Sequence, residues 1–428
     1  MSAPTIAVDA NSRVRGLPFY YGWVIVVAAA LAMVATMPGR THGLGTITER
    51  LLKDTALSLD RVRFGEMNFW ATMLGAAFCL PCGKLLDRFG IRRTLTIVTA
   101  ALGIVVLAMT RLTEFWMFFA AITLTRGLGQ SALSVVSLSM AGKWFSRRLG
   151  FAMGTYTVLM AFGWITAFTL IGYYKEAPWQ TVWSGIGYIL LLGVVPLSWL
   201  FVRNTPEECG LLLDGAVKRS DEPAIAATGY TLRTALAEPA FWAFALATSV
   251  YGLVSSGASL FNEDILVERG FTKETYYLLL KISTGLGLAG NFIAGWLVQW
   301  TSLRRVMGLS MSLLAGALFW MPQVSTFPHL MLYAVGMALG GGMMTVVFFT
   351  AFGKVFGRLH LGQIQGIAQM LTVFASALGP VLLAYAKRDL GSYMPFFTAS
   401  AVVVVVLGLW ACVLKMPVPL ESQSILKT

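Results

Sequence analysis

The chain alternates between long apolar runs and short polar breaks, and the runs set the architecture. Twelve of them approach or exceed the ~20 residues that an α-helix needs to cross a bilayer. The first six cover residues 19–49, 64–83, 93–110, 115–142, 149–173 and 180–202. The second six cover 240–262, 273–300, 305–322, 329–353, 361–386 and 392–414. The runs are continuous, unlike the short alternating segments of a spanning β-barrel. The pattern predicts an all-α polytopic membrane protein. One long polar stretch, Arg203 to Glu238, separates the two sets and reads as a linker. The expected organisation is a tail over 1–18, a six-helix bundle over 19–203, a linker over 204–238, a second six-helix bundle over 239–415 and a tail over 416–428.

Composition agrees with this. The chain is 57% hydrophobic and 12% charged, where a soluble domain carries roughly 25% charged residues. The net charge of +12 would suggest nucleic acid in a soluble chain. Here the basic residues cluster in loops on one side, so a nucleic-acid partner is not expected. With both termini inside, inside segments hold nineteen Lys and Arg and outside loops ten. That bias predicts cytoplasmic termini in an inner or plasma membrane. Residues 1–18 are polar, with Arg13 and Arg15, and read as a short cytoplasmic tail without a cleavable signal. Cys79 and Cys82 form a CxxC, but Leu80 and Pro81 sit between them in an apolar span. They read as packing residues, and no metal or other cofactor is expected.

The two halves repeat. Gly83 with Arg92-Arg93 is echoed 212 residues later by Gly295 with Arg304-Arg305. The echo has lost the Asp and the second Gly. Leu149-Gly150 and Gly154 are matched by Leu361-Gly362 and Gly366, and Gly142-Lys143 by Gly353-Lys354. Landmarks recurring at nearly one offset imply two parallel, pseudo-symmetric six-helix bundles with a path between them.

The most distinctive stretch is Gly83-Lys84-Leu85-Leu86-Asp87-Arg88-Phe89-Gly90-Ile91-Arg92-Arg93, read as a basic turn between spans two and three. Gly83 and Gly90 suit close packing and a tight turn. Asp87 is placed to accept hydrogen bonds from a neighbouring helix end or an arginine. Lys84, Arg88, Arg92 and Arg93 mark the cytoplasmic face. This stretch resembles the G-x-L-x-D-R-x-G-R-R loop of major facilitator superfamily transporters. Tyr20 to Val26, Arg203 to Gly215 and Gly357 to Gly362 narrow the resemblance to the branch of oxalate/formate antiporters and monocarboxylate transporters. It implies a carrier of small organic anions working by alternating access, without a cofactor. That branch's span-eight arginine falls here near Asn291, so its role is not carried over.

Ionisable groups inside spans are rare and functional by default. Arg40, Arg126 and Lys281 lie roughly 12–17 Å below the outer surface, at 1.5 Å per residue. Every Asp and Glu falls in a loop or at a span end, with Glu66, Glu263 and Asp264 the deepest. The missing counter-anion is expected to be the substrate, gripped bidentately by Arg and by Lys as a point charge. Each residue also has a structural reading. Arg126 belongs to an R-x-x-G pattern that often holds the fold, and Lys281 could snorkel or pair with Glu274 or Glu263. Arg40 follows Pro38-Gly39, which would open the helix and free carbonyls. His42 is the expected proton carrier if protons are coupled. Tyr251, Asn291 and Gln369 are candidate wall residues. Gln365, Gln369, Thr372 and Ser376 recur at helical spacing, as do Thr155, Phe162, Thr166 and Thr169. Gly340-Gly341-Gly342 reads as a packing site.

The reading is a monomeric secondary or facilitative transporter of a small organic anion, most simply a monocarboxylate, in contact with lipid and with protons as the candidate coupling ion. No Walker loop or nucleophile triad points to an enzyme. A proton-driven exporter of amphipathic compounds would want an intramembrane acid. A transporter-like receptor would want an added soluble domain.

Overall fold

A computed structural model describes residues 19–53, 61–174, 176–215, 229–414 and 416–417. The N-terminal tail, the C-terminal tail beyond residue 417 and residues 216–228 of the linker lie outside the described residues. The described residues contain no β-strand, only a single bridge between Gly229 and Gly357. In chain order the helices are α1 Gly22–Val34, α2 Thr41–Leu52, α3 Arg61–Ala76, α4 Cys79–Met109, α5 Phe115–Thr125, α6 Ser134–Trp144, α7 Leu149–Tyr173, α8 Trp179–Tyr188 and α9 Val195–Phe201. After the connecting segment come α10 Leu232–Ala237, α11 Pro239–Glu268, α12 Lys273–Trp300, α13 Leu303–Trp320, α14 Phe327–Phe356, α15 Leu361–Leu390 and α16 Met394–Val413. Among the described residues, ten helical stretches are long and apolar enough to cross a membrane. One of them, Arg63–Met109, holds both the second and third predicted runs.

The basic stretch differs from the turn expected of it. The helix runs straight through Gly83 to Phe89, and only Gly90 leaves helical geometry, at φ 81° and ψ 172°. Helix propagation adds a hydrogen bond for every residue fixed, so the second span continues until a residue tolerating positive φ interrupts it. Asn204 seals the bend by accepting from the Arg92 N–H at 3.0 Å. Arg92 lies 4.2 Å over the Trp199 ring and donates to the Trp199 carbonyl, whereas Arg88 and Arg93 are exposed.

The other interruptions have identifiable causes. Pro38 cannot donate a backbone hydrogen bond. Between α1 and α2 the chain makes one 3₁₀ turn at Met37–Gly39, and Arg40 is extended, with φ −93° and ψ 149°. Between α5 and α6, residues Arg126–Leu133 form a π-helix, a wide turn that favours functional positions. The two irregular stretches touch: a methyl on Gly129 would lie 3.1 Å from Gly39 Cα. In Gly340–Gly342, each glycine receives a neighbour. A methyl on Gly340 would meet Leu314, one on Gly341 the Tyr251 ring and one on Gly342 the Asn291 backbone.

Candidate functional site

The helices converge at the end of the molecule that carries Asp87. Gly362 of α15 lies against the Gly83 carbonyl (2.7 Å from an added methyl), and Gly366 against that of Cys79 (2.8 Å). Gly150 and Gly154 of α7 meet Val298 and Gly295 of α12. Asp87 caps α15: its carboxylate accepts from the Gly362 N–H at 3.0 Å and the Gln363 N–H at 2.9 Å. Lys143, rather than an arginine, supplies the counter-charge at 3.2 Å. Arg358 pairs with Glu207 at 2.6 Å and donates to the Lys143 carbonyl. Asp214, with φ 57°, accepts from the backbone N–H groups of Ser146, Arg147 and Arg148 ahead of α7.

Burial falls off away from this end. Every buried residue of α7 lies between Leu149 and Thr157, and none among the sixteen that follow. Thr41, His42 and Gly45 of α2 and Lys281, Thr284 and Gly285 of α12 are exposed. An exposed side chain on a spanning helix faces lipid or a polar path, and a charged one such as Lys281 favours the path.

Two of the expected cations meet at the α1–α2 break. Arg126 is 3% exposed. Its Nη1 donates to the Gly39 carbonyl (3.2 Å), Thr41 Oγ1 (3.0 Å) and Gln130 Oε1 (3.0 Å), and its Nη2 to Asn68 Oδ1 (2.9 Å). It thus ties α3 and its own π-turn to the residues on either side of Arg40. Arg40 is half-buried. Its Nε donates to Thr36 Oγ1 (3.1 Å), and its Nη2 to Ser134 Oγ (2.8 Å) and Met33 Sδ (3.0 Å). Among the described residues, neither arginine forms a salt bridge, and Arg40 Nη1 has no partner.

Lys281 is not brought into this cluster. It is exposed on α12, and no hydrogen bond or ion pair among the described residues joins it to Arg40 or Arg126. The wall residues divide. Tyr251 is half-buried, whereas Asn291 (9%) and Gln369 (5%) are buried between helices. Gln365 and Gln369 flank Gly366, the residue pressed on Cys79. Gln365 is likewise buried, at 2% exposure. Cys79, Cys82, Cys209 and Cys412 are all free thiols, and Cys82 donates to the Ala132 carbonyl at 3.3 Å.

Sequence reasoning missed Asn68, Gln130, Ser134 and Thr36, which hold the arginines. Gln130 had a signal in its spacing, four residues after Arg126, where helical side chains meet. Asn68 stood out only as a polar residue in an apolar run. The network predicts that Arg126→Gln lowers the ligand-free melting temperature, with a loss of about 1–3 kcal/mol as buried acceptors lose their donor. Unchanged melting would show that Arg126 does not hold the break.

A bundle of long apolar helices, packed through glycines at the Asp87 end and carrying a polar break around Arg40 and Arg126, has the build of a polytopic membrane protein with a site inside its spans. The Major Facilitator Superfamily family model matches residues 19–301 and 244–427. The chain belongs to this superfamily. Human monocarboxylate transporter 11 is 26% identical over 402 residues, covering 89% of this chain and 80% of that one. A siderochrome iron transporter of Ceriporiopsis subvermispora is 24% identical over 173 residues, 38% of this chain and 33% of its own. Among solved structures, FucP in the outward conformation superposes with a TM-score of 0.67 at 14% identity, covering 92% of this chain and 100% of that one. The human organic anion transporter MFSD10 gives 0.65 at 14% identity, covering 91% and 98%.

Proposed function

We propose that this protein is a secondary or facilitative transporter of a small organic anion, most simply a monocarboxylate. The observation that carries this reading is the pair of arginines at the α1–α2 break, held among the described residues by neutral groups alone. A buried cation without a counter-charge is unfavourable, and a carboxylate bound there would supply one. Arg40 Nη1 would take the first carboxylate oxygen, and Arg126 would hold Arg40 in place. Lys281, exposed on α12, would approach the anion as the two halves close over it. His42, exposed one helical position beyond Thr41, is the residue we assign to proton coupling. The reading is of a carrier and involves no covalent chemistry. The monocarboxylate transporter relative and the organic anion transporter of like fold support the anionic class.

The two six-helix units would rock about the site. On the Lys/Arg bias, the Asp87 end and both termini would lie in the cytoplasm of a cell with the protein in its plasma or inner membrane, and the arginines would be reached from outside. A cysteine introduced at Lys218 should resist a membrane-impermeant maleimide applied outside intact cells, and efficient labelling there would invert the topology. The substrate reading is tested by thermal shift of the purified protein against a panel of mono- and dicarboxylates. Neutral amide analogues serve as controls. Stabilisation by carboxylates and not by amides is the expected result; equal stabilisation by both would remove the anionic class.

A further inference from the structure

The two halves do not finish the closed end in the same way. In the first, Lys143 at the end of α6 is paired with Asp87. One repeat later the corresponding lysine is Lys354, at the end of α14, and the residue standing where Asp87 stands is Gln299. Lys354 therefore lacks its carboxylate. It donates to the Val298 carbonyl at 3.0 Å, and among the described residues no acid pairs with it.

Beside Lys354 is a cavity of about 240 Å³. Its walls come from the α6–α7 turn, from Leu213 and Tyr230 of the connecting segment, and from the α14–α15 turn. Its charged lining is Arg147, Lys354 and Arg358, with no acid. The described acids nearby are committed elsewhere. Glu207 neutralises Arg358, and Asp214 is held by backbone N–H groups. Among the described residues, Arg147 and Lys354 remain as two cations facing one small cavity without a counter-charge. A guanidinium and an ammonium together suit a tetrahedral oxyanion, the first as a fork and the second as a point charge.

We propose that this cleft binds a phosphate-type oxyanion, and that its occupancy holds the Asp87 end closed. Arg147 and Lys354 belong to different halves of the repeat, so separating the two turns would dismantle the site. A ligand that binds one conformation and not the other shifts the population toward the one it binds. The binding itself is independent of the transported substrate. The effect on transport rests on the reading that this end opens during the cycle. The phosphate could come from the adjoining aqueous phase or from a lipid headgroup.

The test uses the full-length protein in nanodiscs of phosphatidylcholine, with or without phosphatidylglycerol. Inorganic phosphate is titrated against chloride at matched ionic strength, and the melting temperature is read. In phosphatidylcholine, phosphate should raise melting beyond chloride, and Lys354→Gln should weaken its apparent affinity at least tenfold. Gln299→Asp, which keeps Lys354 and restores the missing carboxylate, should do the same. Arg40→Gln should leave the phosphate response intact, separating this cleft from the central site. If the headgroup is the natural occupant, phosphatidylglycerol alone should stabilise the wild type and not Lys354→Gln. The proposal is overturned if neither source stabilises beyond the chloride control. It is equally overturned if the stabilisation survives both Lys354→Gln and Gln299→Asp.

Discussion

Asp87→Asn should move the protein toward the conformation in which the Asp87 end is open, by about ten- to a hundredfold in population. The carboxylate has three charge-dependent duties in the closed state. It accepts from the Gly362 and Gln363 N–H groups, and it pairs with Lys143. Those two N–H groups begin a 30-residue helix, where the backbone dipole favours a negative charge. Hydrogen bonds to charged groups contribute about 1.5–3 kcal/mol each. Asparagine keeps one acceptor oxygen but loses the charge, so a net shift of about 1.5–3 kcal/mol is expected, equivalent to that population change. The effect is directional because the two N–H contacts exist only while α15 sits against α4, whereas the Lys143 pair lies within the first half. Spin labels at the exposed positions Lys84 and Leu359 report it directly. The variant should show a longer, newly populated distance. Ligand affinity should stay within about tenfold, since Asp87 is remote from the arginines. An unchanged distance distribution would remove the latch. Complete loss of binding in folded protein would place Asp87 in the site instead.

Much of this machinery was legible in the sequence, and the parts that were not share a physical cause. The apolar runs dictated the helices, because no other structure satisfies backbone groups across so many lipid-length segments. Pro38-Gly39 marked the break in the first span, because proline removes a donor. Gly90 was legible as a turn, whereas Gly83 was not legible as a mid-helix contact. Glycine permits both, and only the proximity of Gly362 decides between them. Arg40 and Arg126 stood out as charges where charges are rare, but their partners are neutral. Serine, threonine and asparagine occur throughout spans, satisfying themselves on the preceding turn, as Thr72 and Thr96 do here. Nothing local separates Ser134 from them. The shared depth of Lys281 with the arginines is a one-dimensional estimate, and it carries no information about which way α12 turns its face.

Neutralising Arg40 should have the largest effect on ligand affinity. Its Nε and Nη2 are fixed by Thr36, Met33 and Ser134, which leaves Nη1 presented in one orientation. A pre-oriented guanidinium loses little freedom when it binds. Arg40→Gln should therefore weaken anion binding by about 1.5–3 kcal/mol, around ten- to a hundredfold. Lys281→Gln should act in the same direction and by less, about tenfold or under, because an exposed ammonium must be ordered before it contributes. The double variant should lose less than the sum of the two, since both contacts hold one ligand. Apo stability separates this reading from a structural one. Arg126 already bonds to Gly39 and Thr41 on either side of Arg40. Removing Arg40's charge relieves a like-charge approach, which offsets the loss of its bonds to Thr36 and Ser134, so ligand-free melting should fall less than in Arg126→Gln or hold. The measurement is carboxylate affinity and ligand-free melting temperature for wild type, both single variants and the double. Full additivity would mean that Lys281 acts elsewhere than on the bound anion. Unchanged affinity in Arg40→Gln, or collapse of the ligand-free protein, would withdraw the anion site and leave a carrier whose cargo is recognised by other groups.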